Sequence, residues 1–241
     1  MRYALTNGII LNGKKDMEPI KGLTIIVEDG KIIDITDKEI KDMKIIDLNN
    51  RYVLPGLINM HVHLPGSGMP KDTNRQNKES VDKLLSHKLT RYIVYKLCAK
   101  YAKIELLSGV TTIRTVGGLA DIDSKIRDNI KKGILVGPRI LASNMALSVP
   151  GGHMAGILAY EATDEESAVK YIEKINETHP DLIKLMITGG VLDAKKKGEP
   201  GELKMSPEII KAACDKAHAL GYKVAAHVES TLGVKLALEN G

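Results

Sequence analysis

Three apolar segments of this 241-residue sequence carry side chains able to hold a metal ion. His61-Val62-His63 sets two imidazoles at positions i and i+2. On a strand those point to one face, so both can reach the same ion. Leu54-Pro55-Gly56 precedes the run and Pro65-Gly66 ends it, which puts both histidines at a strand's C-terminal end, where barrel active sites gather. The bland reading is two incidental histidines closing a buried strand. Lys184 interrupts the apolar run from Asp181 to Ile187, just before Gly189-Gly190. A lysine in apolar surroundings is costly unless paired or neutralised, and desolvation depresses its pKa and leaves a nucleophilic amine. That amine can add carbon dioxide to become a carbamate, an anion able to bridge two metal ions. Otherwise its ammonium snorkels to solvent from the strand end. His227 ends a third apolar run, Val224 to Val228, as a ligand or as a core histidine satisfied by backbone. The force lies in the set: three strands, each with a potential ligand at its C-terminal end.

The remaining polar candidates divide more evenly. His153 follows Gly151-Gly152, glycines that let a ligand approach the backbone closely; a solvated loop histidine fits the same pattern. His87 falls on the polar face of a long helical pattern, His179 precedes Pro180, and His218 lies near a helix C-terminus, and none of these asks for a chemical role. Cys98 and Cys214 lie in helical patterns and read as buried thiols. Gly117-Gly118 and Gly189-Gly190 match neither phosphate-loop pattern and read as tight turns above a site.

The elements that position these residues follow from the spacing of apolar side chains. Up to residue 55, short β-branched runs alternate with Asn7-Gly8, Asn12-Gly13 and Asp29-Gly30, the strongest short hairpin signals. They predict a small β-sandwich module over residues 1–55. From residue 56, apolar runs alternate with helical patterns, the rhythm of βα units and a parallel sheet. Strands are predicted at 56–63, 110–115, 139–143, 182–187 and 224–228. Helices are predicted at 81–107, 123–132, 164–178, 206–220 and 231–239, with Thr163 and Ser206 as N-caps. Residues 56–241 are too few for a closed eight-stranded barrel, which takes about 250 residues. An incomplete (β/α) barrel carrying the metal site is expected there, with the remainder of the barrel from the rest of a longer chain.

Composition narrows the partners. The chain is 43% hydrophobic and 27% charged, with no Trp, no Phe and a formal charge of +5, an ordinary globular balance with an aliphatic core. The basic residues are interspersed with acidic ones and lack interleaved aromatics, which argues against nucleic acid. No apolar run reaches a membrane span and no signal peptide is read. Two cysteines make no disulfide framework, so the default compartment is the cytoplasm.

Together these motifs resemble the amidohydrolase superfamily, and the likeness covers nearly the whole chain. Val53 to His63 resembles its entry motif, Gly109-Val110-Thr111-Thr112-Ile113-Arg114 its second strand, and Gly151-Gly152-His153 a substrate loop. Ile183-Lys184-Leu185 with Gly189-Gly190, then Ala226-His227, complete the order. The nearest likeness is to the imidazolonepropionase-related group with prolidase-like enzymes. The resemblance implies a TIM-type (β/α)8 barrel, here about its first five strands, with a small N-terminal β-sandwich. It implies two divalent ions, zinc by default. His61 and His63 would hold the first, Lys184 as its carbamate would bridge both, and His227 would bind the second. His153 would contact the substrate. Glu229 stands where some relatives place a substrate-binding tyrosine and is a further candidate contact. Asn59 replaces a usual acidic residue, and Arg114-Thr115 a basic–acidic pair. A further His and a catalytic Asp are expected beyond Gly241.

The implied function is hydrolysis of an amide or cyclic-amide C–N bond by a metal-bridging hydroxide. The substrate would be small and polar, an N-acyl amino acid or dipeptide. A mononuclear deaminase or imidazolonepropionase-like hydrolase would need no Lys184, and a non-catalytic fragment or scaffold is the alternative of another class. A homo-oligomer is expected by analogy of fold alone.

Overall fold

A computed structural model describes residues 1–66, 78–191, 194 and 200–241. The chain divides into two compact units, Met1–Gly56 and Leu57–Gly241.

The first unit holds β1 (Arg2–Thr6), β2 (Ile9–Ile10), β3 (Thr24–Glu28), β4 (Lys31–Thr36), β5 (Lys44–Asp47) and β6 (Tyr52–Val53). Four of them form a mixed sheet in the order β4-β3-β1-β5, and β2 pairs with β6 in parallel. Asp29-Gly30 closes the antiparallel β3–β4 hairpin with φ of 48° and 78°, the positive pair a type I′ turn requires. Asn7-Gly8 and Asn12-Gly13 do not close hairpins. Asn7 turns the chain at φ 53°, and β2 leaves for a different ladder from β1. Ile10, Ile25 and Val27 make a small core with Tyr3, Leu5 and Val53 packed against it.

The second unit runs β7 (Leu57–Val62), α1 (Lys78–Ser86), α2 (Lys88–Leu107), β8 (Val110–Thr115), α3 (Ile122–Lys131), β9 (Arg139–Leu141), β10 (Ala146–Ser148), β11 (Ala159–Glu161), α4 (Glu165–Asn176), β12 (Ile183–Met186), α5 (Pro207–Ala219), β13 (Val224–His227) and α6 (Thr231–Glu239). Its sheets, β7-β8-β9 and β11-β10-β12-β13, are parallel throughout. This is an α/β fold, and no closed barrel forms among the described residues.

Two local expectations are corrected. The helical pattern over 81–107 is two helices, because His87 adopts extended backbone at φ −91° and ψ 130°. The Thr90 hydroxyl supports that break by donating to the Leu84 carbonyl at 2.6 Å. The cap of α4 is Asp164, not Thr163: Asp164 accepts from the Ser167 N–H while the Ser167 hydroxyl accepts from the Asp164 N–H. Ser206 caps α5 with Pro207 at its first position, as expected.

Strand alternation sorts the side chains. Val62 and Ile113 point to a core shared with Cys98 and Ala102 of α2 and Ile122 and Ile126 of α3. Ile183 and Leu185 point to a second core with Ile172 of α4 and Ile210 of α5. Neighbours in sequence must face the other way, which sends His61, His63, Arg114 and Lys184 to the face not covered by helices. Tyr160 of β11 stacks on Tyr171 of α4 at 5.0 Å, nearly parallel, with Lys174 Nζ 4.4 Å above the Tyr160 ring.

Candidate metal centre

The two imidazoles of β7 lie edge to face with centroids 5.2 Å apart. His63 Nδ1 meets the Gly117 carbonyl oxygen at 2.9 Å. A carbonyl can only accept, so Nδ1 carries the proton and Nε2 is left as the lone-pair nitrogen. The turn that supplies this carbonyl needs its glycine: Gly117 has φ 125° and approaches the His63 ring and the Met186 methyl. Burial first, and then the Lys184 charge, holds the His61 pKa below its usual value. For His63, burial again dominates, partly opposed by the Gly117 hydrogen bond. Both rings are therefore neutral near pH 7, the state in which imidazole binds metals.

Lys184 is 2% exposed and heads the fully buried side chains ranked by residue volume. The snorkelling alternative is excluded by that burial. Among the described residues no hydrogen bond or ion pair to its amine is found. Burial, then the Arg114 charge, pushes the amine down to about 8. Arg114 itself donates Nε–H to the Met60 carbonyl at 2.8 Å.

His153 and His227 stack face to face at 4.1 Å with a 10° interplanar angle. Gly190 lies against both, and a Cβ there would fall 2.7 Å from His153 Nδ1 and 3.1 Å from His227 Nε2. Glu229 receives a sharper position than its sequence neighbourhood suggested: its carboxylate sits 3.4 Å from His227 Nε2, and its backbone N–H donates to the Thr188 hydroxyl. A cavity of about 390 Å³ is lined by His61, His153, His227 and Glu229 together. The structure thus gathers these four around one space, with Lys184 near enough to act on His61 and His63.

No three His, Cys, Asp or Glu side chains converge as a preformed ligand set among the described residues. The donor chemistry decides the fit. Neutral imidazoles suit a divalent cation, whereas a buried ammonium would repel one, so the set fits a metal when Lys184 has lost its positive charge. Cys98, as expected, is an inert thiol, pushed up to about 12 by burial and next by Asp123.

A buried polar layer beneath the Gly117-Gly118 turn escaped sequence reasoning. Thr115, Asp123, Ser143 and Asn144 are all fully buried. The available signal was in α3, where Asp123 falls on the same helical face as Ile122 and Ile126.

Parallel βα units carry His61 on β7, Lys184 within β12 and His227 at the end of β13. The amidohydrolase family model matches residues 52–241, and the chain belongs to that family. A dihydroorotase of Caldanaerobacter subterraneus is 37% identical over 83 residues, 33% of this chain and 18% of that protein. A 5-methylthioadenosine/S-adenosylhomocysteine deaminase of Bacillus thuringiensis is 35% identical over 68 residues, 27% of this chain and 16% of that one. Among solved structures, a protein described as a prolidase of Bifidobacterium longum is 31% identical with a TM-score of 0.75. A Xaa-Pro dipeptidase with bound methionine is 26% identical with a TM-score of 0.80. Both alignments cover all of this chain, but it spans 52% and 60% of those two proteins.

Proposed function

We propose that this chain carries the front part of a divalent-metal centre that hydrolyses an amide or cyclic-amide C–N bond in a small polar substrate, an N-acyl amino acid or dipeptide. The observation that carries the reading is Lys184: a fully buried amine without an acid partner, beside two neutral histidines. Relatives with dihydroorotase, deaminase and prolidase names support C–N hydrolysis as the reaction class. In this reading β7, β8, β9, β12 and β13 are an arc of a TIM-type barrel, and residues 1–55 are a small sandwich appended to it.

The neutral fraction of the Lys184 amine adds carbon dioxide, forming an N–C bond and releasing one proton to solvent. The carbamate removes the buried positive charge and supplies two anionic oxygens. His61 and His63 would hold one ion, His63 through the Nε2 left free by its Gly117 contact, the carbamate would bridge to a second, and His227 would bind that second ion. Bound divalent ions, zinc by default, would acidify a water and polarise the scissile carbonyl. His153, held parallel to His227, would donate to the substrate carbonyl or hold its carboxylate. Glu229 would meet a polar end of the substrate in the same cavity.

The test is ¹³C NMR of the full chain supplied with labelled bicarbonate and zinc. A carbamate carbon is expected in the parent and is lost in Lys184→Met, together with the second zinc equivalent. A parent that binds one zinc with a free amine would favour the mononuclear alternative. Unchanged zinc uptake in Lys184→Met would remove the bridging role.

A further inference from the structure

Asp123 is a carboxylic acid with no surface exposure, set in the first turn of α3. No hydrogen bond of normal geometry reaches either of its oxygens among the described residues, and the Thr115 hydroxyl is the neighbouring side chain that acts on its charge. Gly118 presses its backbone onto the carboxylate, and a Cβ at Gly118 would fall 2.4 Å from Oδ2. Burial pushes the acid up to about 6, with the Thr115 hydroxyl acting in the opposite sense. An acid in this setting costs stability at neutral pH, and an amide of the same shape would cost less. A destabilising group in contact with the turn that holds a site residue asks for a reason beyond packing.

The hydrogen bonds around it supply one. Thr115 Oγ1 accepts from the Ser143 N–H at 3.1 Å, so the Thr115 hydroxyl proton is free to turn towards Asp123. Ser143 Oγ in turn accepts from the Gly117 N–H at 2.8 Å. Gly118 N–H donates to the Asn144 carbonyl at 2.7 Å, pinning the other half of the turn. The Gly117 carbonyl then takes the His63 Nδ1 proton at 2.9 Å. Each group in the series is oriented by the one beneath it, and in dry surroundings such a series holds its members firmly.

We infer that Asp123 is a positioning residue for His63, acting through Thr115, Ser143 and the Gly117-Gly118 turn to keep Nδ1 protonated and Nε2 open. The purpose assigned to this rests on the proposed metal centre, but the tautomer itself does not. The experiment is therefore run first on metal-free full chain labelled with ¹⁵N-histidine, at pH above 7, where long-range proton–nitrogen correlations report each ring's tautomer. The parent is expected to show His63 as the Nδ1–H form. Asp123→Asn is expected to melt no lower than the parent yet show a mixture of tautomers at His63. Thr115→Val, which breaks the series without touching the acid, should do the same and serves if Asp123→Asn fails to fold. Zinc affinity by chelator competition should fall roughly 10-fold or more in both, the usual scale for losing support behind a ligand. Unaltered His63 tautomer in the folded variants would overturn the inference. A shifted tautomer with unchanged zinc affinity would uphold it and instead remove His63 from the metal centre.

Discussion

Lys184 governs the electrostatics of the face it shares with His61 and His63. Its amine is held down to about 8 in the folded chain against 10.5 when exposed, so folding strips a proton from it between those values. The penalty is constant below pH 8 and fades as pH rises towards 10.5. In carbon dioxide-free buffer, Lys184→Met should therefore be more stable than the parent at pH 7, by about 3 kcal/mol at most. The gap should narrow by pH 10, as urea midpoints would show; equal midpoints at pH 7 would contradict the burial. Asp123 has the opposite sign. Its folded pKa of about 6 exceeds the 3.8 of the free acid, so the parent loses stability as pH climbs from about 4 to 6. Asp123→Asn should flatten that slope in thermal melts across the same window. His61, His63, His227 and Lys184 stood out because each is a polar residue in an apolar run. Asp123 was not, because an acid in a helix's first turn ordinarily serves the helix dipole from solvent.

At the level of elements, the glycine turns shape the space that the candidate residues of the strands face. Gly190 leaves room for two stacked rings. Gly190→Ala should part His153 from His227 and reduce zinc uptake while the melting temperature changes little; unaltered zinc titration would show that the pair tolerates separation. By contrast, Ile172 of α4 is wholly buried in the core that α4 shares with α5 and β10, and Ile172→Ala should lower unfolding free energy by roughly 2–5 kcal/mol in a urea melt. A loss under 1 kcal/mol would mean a core that readily collapses. Five of the seven described strands and most helices of the second unit could be read from apolar period alone, whereas the three-residue β10 and β11 were not expected. The break at His87 could not. Apolar spacing runs through it without Gly or Pro, and the extended residue is supported by a hydroxyl three positions later. The Asn-Gly pairs misled for a related reason: positive φ turns a chain, but which strand it then meets depends on distant pairing.

For the whole molecule, the uncovered apolar faces are the main physical fact. Leu89, Ile93, Ile104 and Leu107 on α2, and Leu57 and Ile58 on β7, are each at least half exposed. Apolar surface of that kind drives association, and among the described residues β7 lies at the edge of its sheet. Light scattering of the purified chain should give a mass that rises with concentration, reduced by Leu89→Lys with Ile93→Lys. A constant monomer mass would contradict this. No described helix is long and apolar enough to cross a membrane. The count of βα units was legible in the sequence; the extent of bare surface was not, since periodicity says which face is apolar and never whether anything lies on it.

The stacked Tyr160 and Tyr171 have an optical consequence. With no Trp and no Phe in the chain, all near-ultraviolet dichroism and emission come from tyrosine. This face-to-face pair beside a lysine joins β11 to α4, so its signal follows the seam between sheet and helix. Zinc, being d¹⁰, brings no colour of its own. A single tryptophan placed near His153, excited at wavelengths where tyrosine hardly absorbs, would therefore emit alone, and would let a colourless ion be watched as it arrives.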